Sequence, residues 1–210
     1  MERFVVAITR RCGSGGTAIG HKLAEELGIS VYDRELLRLA SDESGINEAL
    51  FAKADEETKK SLLYRISRKV YKGELIPPDD DNFVSNENLF NYQAKVLKEL
   101  ADNESFVVIG RAAGFVLRGR PNVLSVYLHA PMEDCIRREC ERFGFSEEDA
   151  IRHIHRRNKH RSEYFTYHTG LDWEDVNNYD LSVNTAAIGH EKTVTLLKNL
   201  VSYRLEQKPG

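Results

Sequence analysis

The residues best placed to do chemistry lie close to the start of the chain. Thr9-Arg10-Arg11-Cys12-Gly13-Ser14-Gly15-Gly16-Thr17 sets two arginines, three glycines and several hydroxyls between two patterned segments. Before it runs the continuous apolar stretch Phe4–Thr9, and after it Ile19, Leu23, Ala24 and Leu27 recur at helical spacing, closed by Gly28. A strand, a glycine turn and a helix in that order aim several backbone N–H groups and a helix N-terminus at one point, which suits an anion. Glycines let the backbone take positive φ and approach anionic oxygens with no Cβ in the way. The chemistry this predicts is phosphate binding.

The phosphate-binding P-loop pattern is G-x-x-x-x-G-K-[ST] after a strand. Laid on this turn, it matches at Gly15 and Thr17 but meets Arg10 at the first glycine and Gly16 at the lysine. That lysine normally reaches the β- and γ-phosphates, and Arg10 and Arg11 are the candidates to replace it, because a guanidinium grips phosphate bidentately. Arg11, Cys12, Gly13, Ser14, Gly15, Gly16 and Thr17 form the candidate nucleotide cradle, with the Thr17 hydroxyl a candidate Mg²⁺ ligand. The plainer reading of the two arginines is surface charge after a strand.

Further candidates follow other apolar runs. Asp33 ends the second, where it would hold Mg²⁺ or the acceptor, or cap the helix beginning near Arg34. Arg111 follows Gly110 after the third. The most basic stretch, Arg152 to Arg161, carries Arg156 and sets Arg157 and Arg161 four residues apart on one helix face. Its plainer reading is a solvated face paired with Glu147, Glu148 and Asp149. His153, His155 and His160 make a weak zinc reading, since no cysteine joins them at ligand spacing. Cys12 reads as a small half-buried side chain, with a thiol of lowered pKa beside the nest as the alternative. Cys135 and Cys140 read as packing, and Trp173 as the anchor of the turn before the last strand.

Those residues need a scaffold. Phe4–Thr9, Ile29–Tyr32, Ser105–Ile109, Val123–Leu128 and Tyr179–Val183 are short apolar runs separated by helical patterns, which predicts a five-stranded parallel sheet covered on both faces. Residues 35–103 break the rhythm as a helical insertion, interrupted by a solvated loop at Pro77-Pro78-Asp79-Asp80-Asp81. The expected organisation is one domain, with a core of 1–34 and 104–210, the insertion at 35–103, and a lid at about 146–170.

Composition bounds the rest. Of 210 residues 41% are hydrophobic, enough for a core, so intrinsic disorder is excluded. A net charge of -3 argues against a generic nucleic-acid coat. Three cysteines suggest no disulfide framework, and the opening apolar run is too short for a signal segment or membrane span. The expectation is a cytoplasmic globular protein with neither nucleic acid nor membrane as partner, its oligomeric state open.

With these motifs in view, the chain resembles the cytidylate kinase-like family of nucleoside monophosphate kinases. The turn Thr9–Gly16 carries the resemblance, together with Tyr32-Asp33, Ile109-Gly110-Arg111, the helix of Arg156, Arg157 and Arg161, and Tyr164 through Thr169-Gly170. Asn178-Tyr179-Asp180-Leu181 and Asn184-Thr185 complete it. The resemblance implies an α/β fold, a P-loop NTPase-type three-layer sandwich with an arginine-rich lid. It implies transfer of the γ-phosphoryl group of ATP, with Mg²⁺, to a small phosphorylated or hydroxylated acceptor. Arg10, Arg157 and Arg161 would then be catalytic, and Asp33, Arg34, Arg111 and Arg156 would face the acceptor. Ala112 stands where the family has aspartate after Gly-Arg, so the acceptor is left open. Two other readings stand beside this one: a nucleotide-binding regulatory module without turnover, and a kinase of a non-nucleotide small molecule.

Overall fold

The computed structural model describes residues 3–33, 39–40, 49–50, 74–75 and 85–206. Five strands form its centre: β1 (Val5–Arg10), β2 (Ser30–Tyr32), β3 (Phe106–Ile109), β4 (Val123–His129) and β5 (Leu181–Asn184). All pair in parallel, in the order β2-β3-β1-β4-β5. The five strands expected from the apolar runs are these five, shifted by a residue or two at their ends.

Alternation along β1 explains the three layers. Val6 and Ile8 face one side, where they meet Ile19 and Leu23 of α1 (Gly16–Leu27) and Val194, Leu197 and Val201 of the C-terminal helix. Val5 and Ala7 face the other, against Leu89, Phe90 and Leu97 of α2 (Asn86–Asn103) and against Phe165 and Trp173. A strand buried on both faces has no polar face to offer, hence its unbroken apolar sequence. Ser85 caps α2 by accepting a hydrogen bond from the Asn88 N–H at 3.3 Å. Just past the helix, the Glu104 carboxylate accepts from Ser30 Oγ at 3.0 Å and Tyr32 Oη at 2.7 Å, tying α2 to edge strand β2.

After β3 comes the short α3 (Ala113–Val116). After β4 come α4 (Met132–Phe143) and α5 (Glu147–Thr169), and after β5 α6 (Thr185–Ile188) and α7 (His190–Glu206). The expected lid is therefore one unbroken helix of 23 residues, α5, capped by Ser146 at its start and Gly170 at its end. The part of the insertion that is described beside the sheet is the helix α2. Most of residues 35–84, including the Pro77–Asp81 loop, lies outside the described residues. Trp173 anchors the turn before β5: it is buried edge-on to Tyr127, and its carbonyl accepts from Tyr179 Oη at 2.7 Å. No described helix is long and apolar enough to cross a membrane.

Phe106 is fully buried where β3, β2 and α2 meet, edge-on to Tyr32 at 5.3 Å. Phe106→Ala leaves a cavity there and is expected to cost ~3–5 kcal/mol of stability, to be measured as a lowered urea midpoint with unchanged slope.

Candidate functional site

The sheet order brings the candidates together. Successive strands lie to one side of β1 until β3, then the chain crosses to β4 on the other, so a crevice opens at the carboxyl ends of β1 and β3. The glycine turn leaves β1 there, Asp33 leaves β2, and Gly110-Arg111 leaves β3.

The turn is held from behind. Ser14 Oγ donates to the Arg11 carbonyl at 2.8 Å and accepts from the Gly16 N–H at 3.3 Å. Thr185 Oγ1 donates to the Ser14 carbonyl at 2.6 Å, and Arg138 Nη1 donates to the Gly13 carbonyl and to Thr185 Oγ1, each at 3.2 Å. Asn158 of α5 accepts from the Cys12 N–H at 2.8 Å. With these carbonyls engaged behind the loop, and Gly13 and Gly15 both at φ +77°, the turn can present N–H groups to an anion beside the open first turn of α1. Thr17 stands half-buried in that turn.

Arg10 is the centre of the site. Its guanidinium lies 3.5 Å from Asp33, its side chain is 15% exposed, and its Nε is buried with no hydrogen-bond partner among the described residues. Arg161 Nη1 donates to the Arg10 carbonyl at 3.1 Å. Burial first, and then the charges of Arg161, Arg111 and Arg157, push the Arg10 pKa down to about 9, with Asp33 alone pulling the other way. Arg161 is lowered as well, chiefly by burial. Four guanidinium groups thus bear on one another with one carboxylate among them, an arrangement that favours a polyanion in the crevice.

Gly16 now has a physical reason. A Cβ built on it would stand 2.5 Å from the Arg10 Cβ, and one on Gly110 would run into the Arg10 guanidinium. A side chain at residue 16, the lysine position of the P-loop pattern, would collide with the Arg10 side chain. The two candidate replacements diverge, since Arg11 turns away to pair with Glu174 at 3.3 Å.

Arg157 and Arg156 are exposed on α5, and Arg157 is near enough for its charge to bear on Arg10 and Cys12. The acidic start of α5 pairs with Arg152, through Glu148 and Asp149, and not with the site arginines. Cys12 is a buried packing side chain, in line with its plainer reading, and the alternative of a lowered pKa is overturned: burial, aided by Glu139, pushes the thiol up to about 11. Arg34 lies outside the described residues.

Sequence reasoning assigned no role to Arg138, Asn158 or Thr185, which fix the turn. Thr185 alone carried a signal, as part of the Asn184-Thr185 pair. It also passed over the backbone after β3, where Gly110, Arg111 and Ala112 have φ +85°, +59° and +51° in succession. Two consecutive non-glycine residues in the left-handed region cost about 1–2 kcal/mol each, and such strain concentrates at ligand sites.

The model of the cytidylate kinase-like family matches residues 5–187. A cytidylate kinase from Ignicoccus hospitalis is 30% identical over 197 residues, 94% of this chain and 98% of that one. An uncharacterized protein from Eubacterium ventriosum superposes with a TM-score of 0.69 at 22% identity, covering 95% of this chain and 99% of the other. A shikimate kinase from Bacteroides thetaiotaomicron shares the fold at a TM-score of 0.52 and 13% identity, over 95% and 98% of the two chains.

Gly16→Ala is expected to destabilise the protein by ~1–3 kcal/mol through overpacking against Arg10, while Gly16→Ala combined with Arg10→Gly recovers part of that loss. Urea melts of the two single variants and the double variant give the coupling directly.

Proposed function

The chain belongs to the cytidylate kinase-like family, and on that premise we propose that it is an ATP- and Mg²⁺-dependent phosphotransferase acting on a nucleoside monophosphate. CMP is the first acceptor to test, because the relatives that match are cytidylate kinases. The observation that carries the proposal is the cluster of Arg10, Arg111, Arg157 and Arg161 beside a glycine turn that a Cβ would fill.

Phosphoryl transfer spreads negative charge over the oxygens of the moving group, so catalysis is mostly positioning and cationic stabilisation. The turn from Gly13 to Thr17 binds the donor phosphates through backbone N–H groups. Arg10 takes the part of the missing lysine: with a pKa of about 9 it is charged at neutral pH. Its desolvation is already in place before substrate arrives, so little reorganisation accompanies the reaction. Asp33 orients Arg10 from one side, while Arg161 braces the Arg10 backbone.

Arg111 faces the acceptor from the end of β3, and Arg34 and Arg156 complete the acceptor side. Arg157 and Arg161, one turn apart on α5, bring charge to the group in transit from a helix already tethered beside the crevice. An acceptor phosphate oxygen forms its bond to the γ-phosphorus as the bond from that phosphorus to the β-bridging oxygen breaks, leaving ADP. The acceptor oxygen is already anionic, so no general base is required. The Thr17 hydroxyl and the Asp33 carboxylate are hard oxygen donors that suit Mg²⁺. When bound, the metal ion neutralises charge on the β- and γ-phosphates.

Single-turnover transfer from γ-labelled ATP to a panel of nucleoside monophosphates and small alcohols tests the proposal. Label is expected in CMP or a related monophosphate, and ATP binding with no transfer to any acceptor would overturn it. In the same assay Arg10→Ala is expected to lower kcat by about 10²–10³, while Arg11→Ala, whose side chain pairs with Glu174, changes it by less than about tenfold.

A further inference from the structure

A second group of chemically able side chains lies behind the glycine turn. Cys12 of the turn, Glu139 of α4 and His153 of α5 are separated by more than a hundred residues of sequence at the first step, yet the fold brings them together. The Cys12 Sγ, a Glu139 carboxylate oxygen and a His153 ring nitrogen all lie within 4.8 Å of one another. Glu139 Oε2 and His153 Nε2 are 3.5 Å apart. In a tetrahedral zinc site with bonds of about 2.0–2.3 Å, ligand atoms stand roughly 3.3–3.8 Å apart, so a contraction of about 1 Å closes the group around a metal ion.

The burial is what demands an explanation. Glu139 is 5% exposed and is the one buried carboxylate among the described residues. Its ion-pair partner is His153, whose ring is itself largely shielded from solvent. A buried carboxylate is costly unless it is well paired. Beside it stands a thiol, 6% exposed, walled by Ala130, Cys135 and Ile154. A divalent cation suits the group, because its charge cancels those of one thiolate and one carboxylate. The nearby Arg157 and Arg161 then face no added net charge. A donor set of sulfur, nitrogen and one oxygen suits Zn²⁺ and disfavours Mg²⁺ or Ca²⁺.

We propose that Cys12, Glu139 and His153 form a Zn²⁺ site that fastens the phosphate-binding turn to α4 and to the lid helix α5. The fourth position goes to water. The site is separate from the Mg²⁺ that serves the transferring phosphates, and it reinforces the Cys12–Asn158 hydrogen bond that already joins the turn to α5. Of the three histidines that made a weak zinc reading, His153 alone acquires a cysteine, and it does so through the fold rather than through local spacing.

Metal-free full-length protein titrated with Co²⁺ and then Zn²⁺ tests the site. The expected result is about one Co²⁺ bound in tetrahedral geometry with thiolate-to-cobalt charge-transfer absorption, displaced by about one Zn²⁺. Zn²⁺ is also expected to shield Cys12, among the three cysteines, from alkylation mapped by mass spectrometry. His153→Gln keeps the turn residues intact and is expected to weaken Zn²⁺ binding at least about tenfold. Cys12→Ser, with folding checked by circular dichroism, removes the charge-transfer band. Absence of the band in the folded wild type, or its survival in Cys12→Ser, overturns the proposal, as does Zn²⁺ that leaves Cys12 alkylation unchanged. None of these readouts involves phosphoryl transfer, so this site and the proposed activity stand or fall separately.

Discussion

The burial of one cation organises this molecule. Arg10 ends the central strand, and its side chain runs over the glycine turn into the crevice between β1 and β3. Everything within reach of it is shaped accordingly: Gly16 and Gly110 have no side chain to obstruct it, Asp33 meets its guanidinium, and Arg161 fastens its carbonyl. Desolvating a guanidinium among other guanidinium groups is unfavourable in the free protein. The sheet and its helices supply the stability that holds it there, and an anion in the crevice relieves the cost. Function and strain are in this sense the same feature, as is common where a site stores unfavourable electrostatics for its ligand.

That coupling decides how Gly16 is to be understood. Read along the sequence alone, a glycine in the lysine position looks like a lesion, and it supported the idea of a binding module without turnover. In three dimensions it is the counterpart of Arg10. On the proposed function, the positive charge would enter from the end of the strand instead of from the first turn of the helix. Arg11 beside it was indistinguishable in one dimension. Residue type cannot show that alternate positions leaving a strand point to opposite sides, one to the crevice and one to Glu174.

What could be read in advance follows a physical rule. The five strands were legible because burial on both faces requires unbroken apolar runs, and the cradle was legible because its glycines answer a local steric demand. The basic helix α5 announced itself by charge. By contrast, Arg138, Thr185 and Asn158 hold the turn through contacts between distant segments, and nothing in the local sequence of Arg138 or Asn158 marks them. The left-handed backbone at Arg111 and Ala112 was hidden for a different reason, since neither residue type favours it and only the surrounding packing enforces it. Cys12, Glu139 and His153 combine both difficulties, being remote in sequence and meaningful only together. The acceptor side at Arg34 lies outside the described residues and is unaltered as an expectation.

Helix α5 shows how one element can serve both halves of the site. At 23 residues it spans about 34 Å. Its C-terminal third is fixed in the core, where Phe165 is buried and Phe90 stacks on His168 at 4.0 Å. His168 is neutral there, its pKa pushed down to about 3 by burial, so the anchor is insensitive to pH in the physiological range. The middle of the helix carries Arg161 and Arg157 over the crevice, with Asn158 between them holding the Cys12 N–H. The helix is therefore pinned at its end and tethered at its centre to the phosphate turn itself. A cationic lid that hung free would have to be ordered at each binding event, at an entropic cost for every long side chain immobilised. Tethering it to the turn settles much of that cost during folding, so that the arginines nearest the crevice are already in place when the anion arrives.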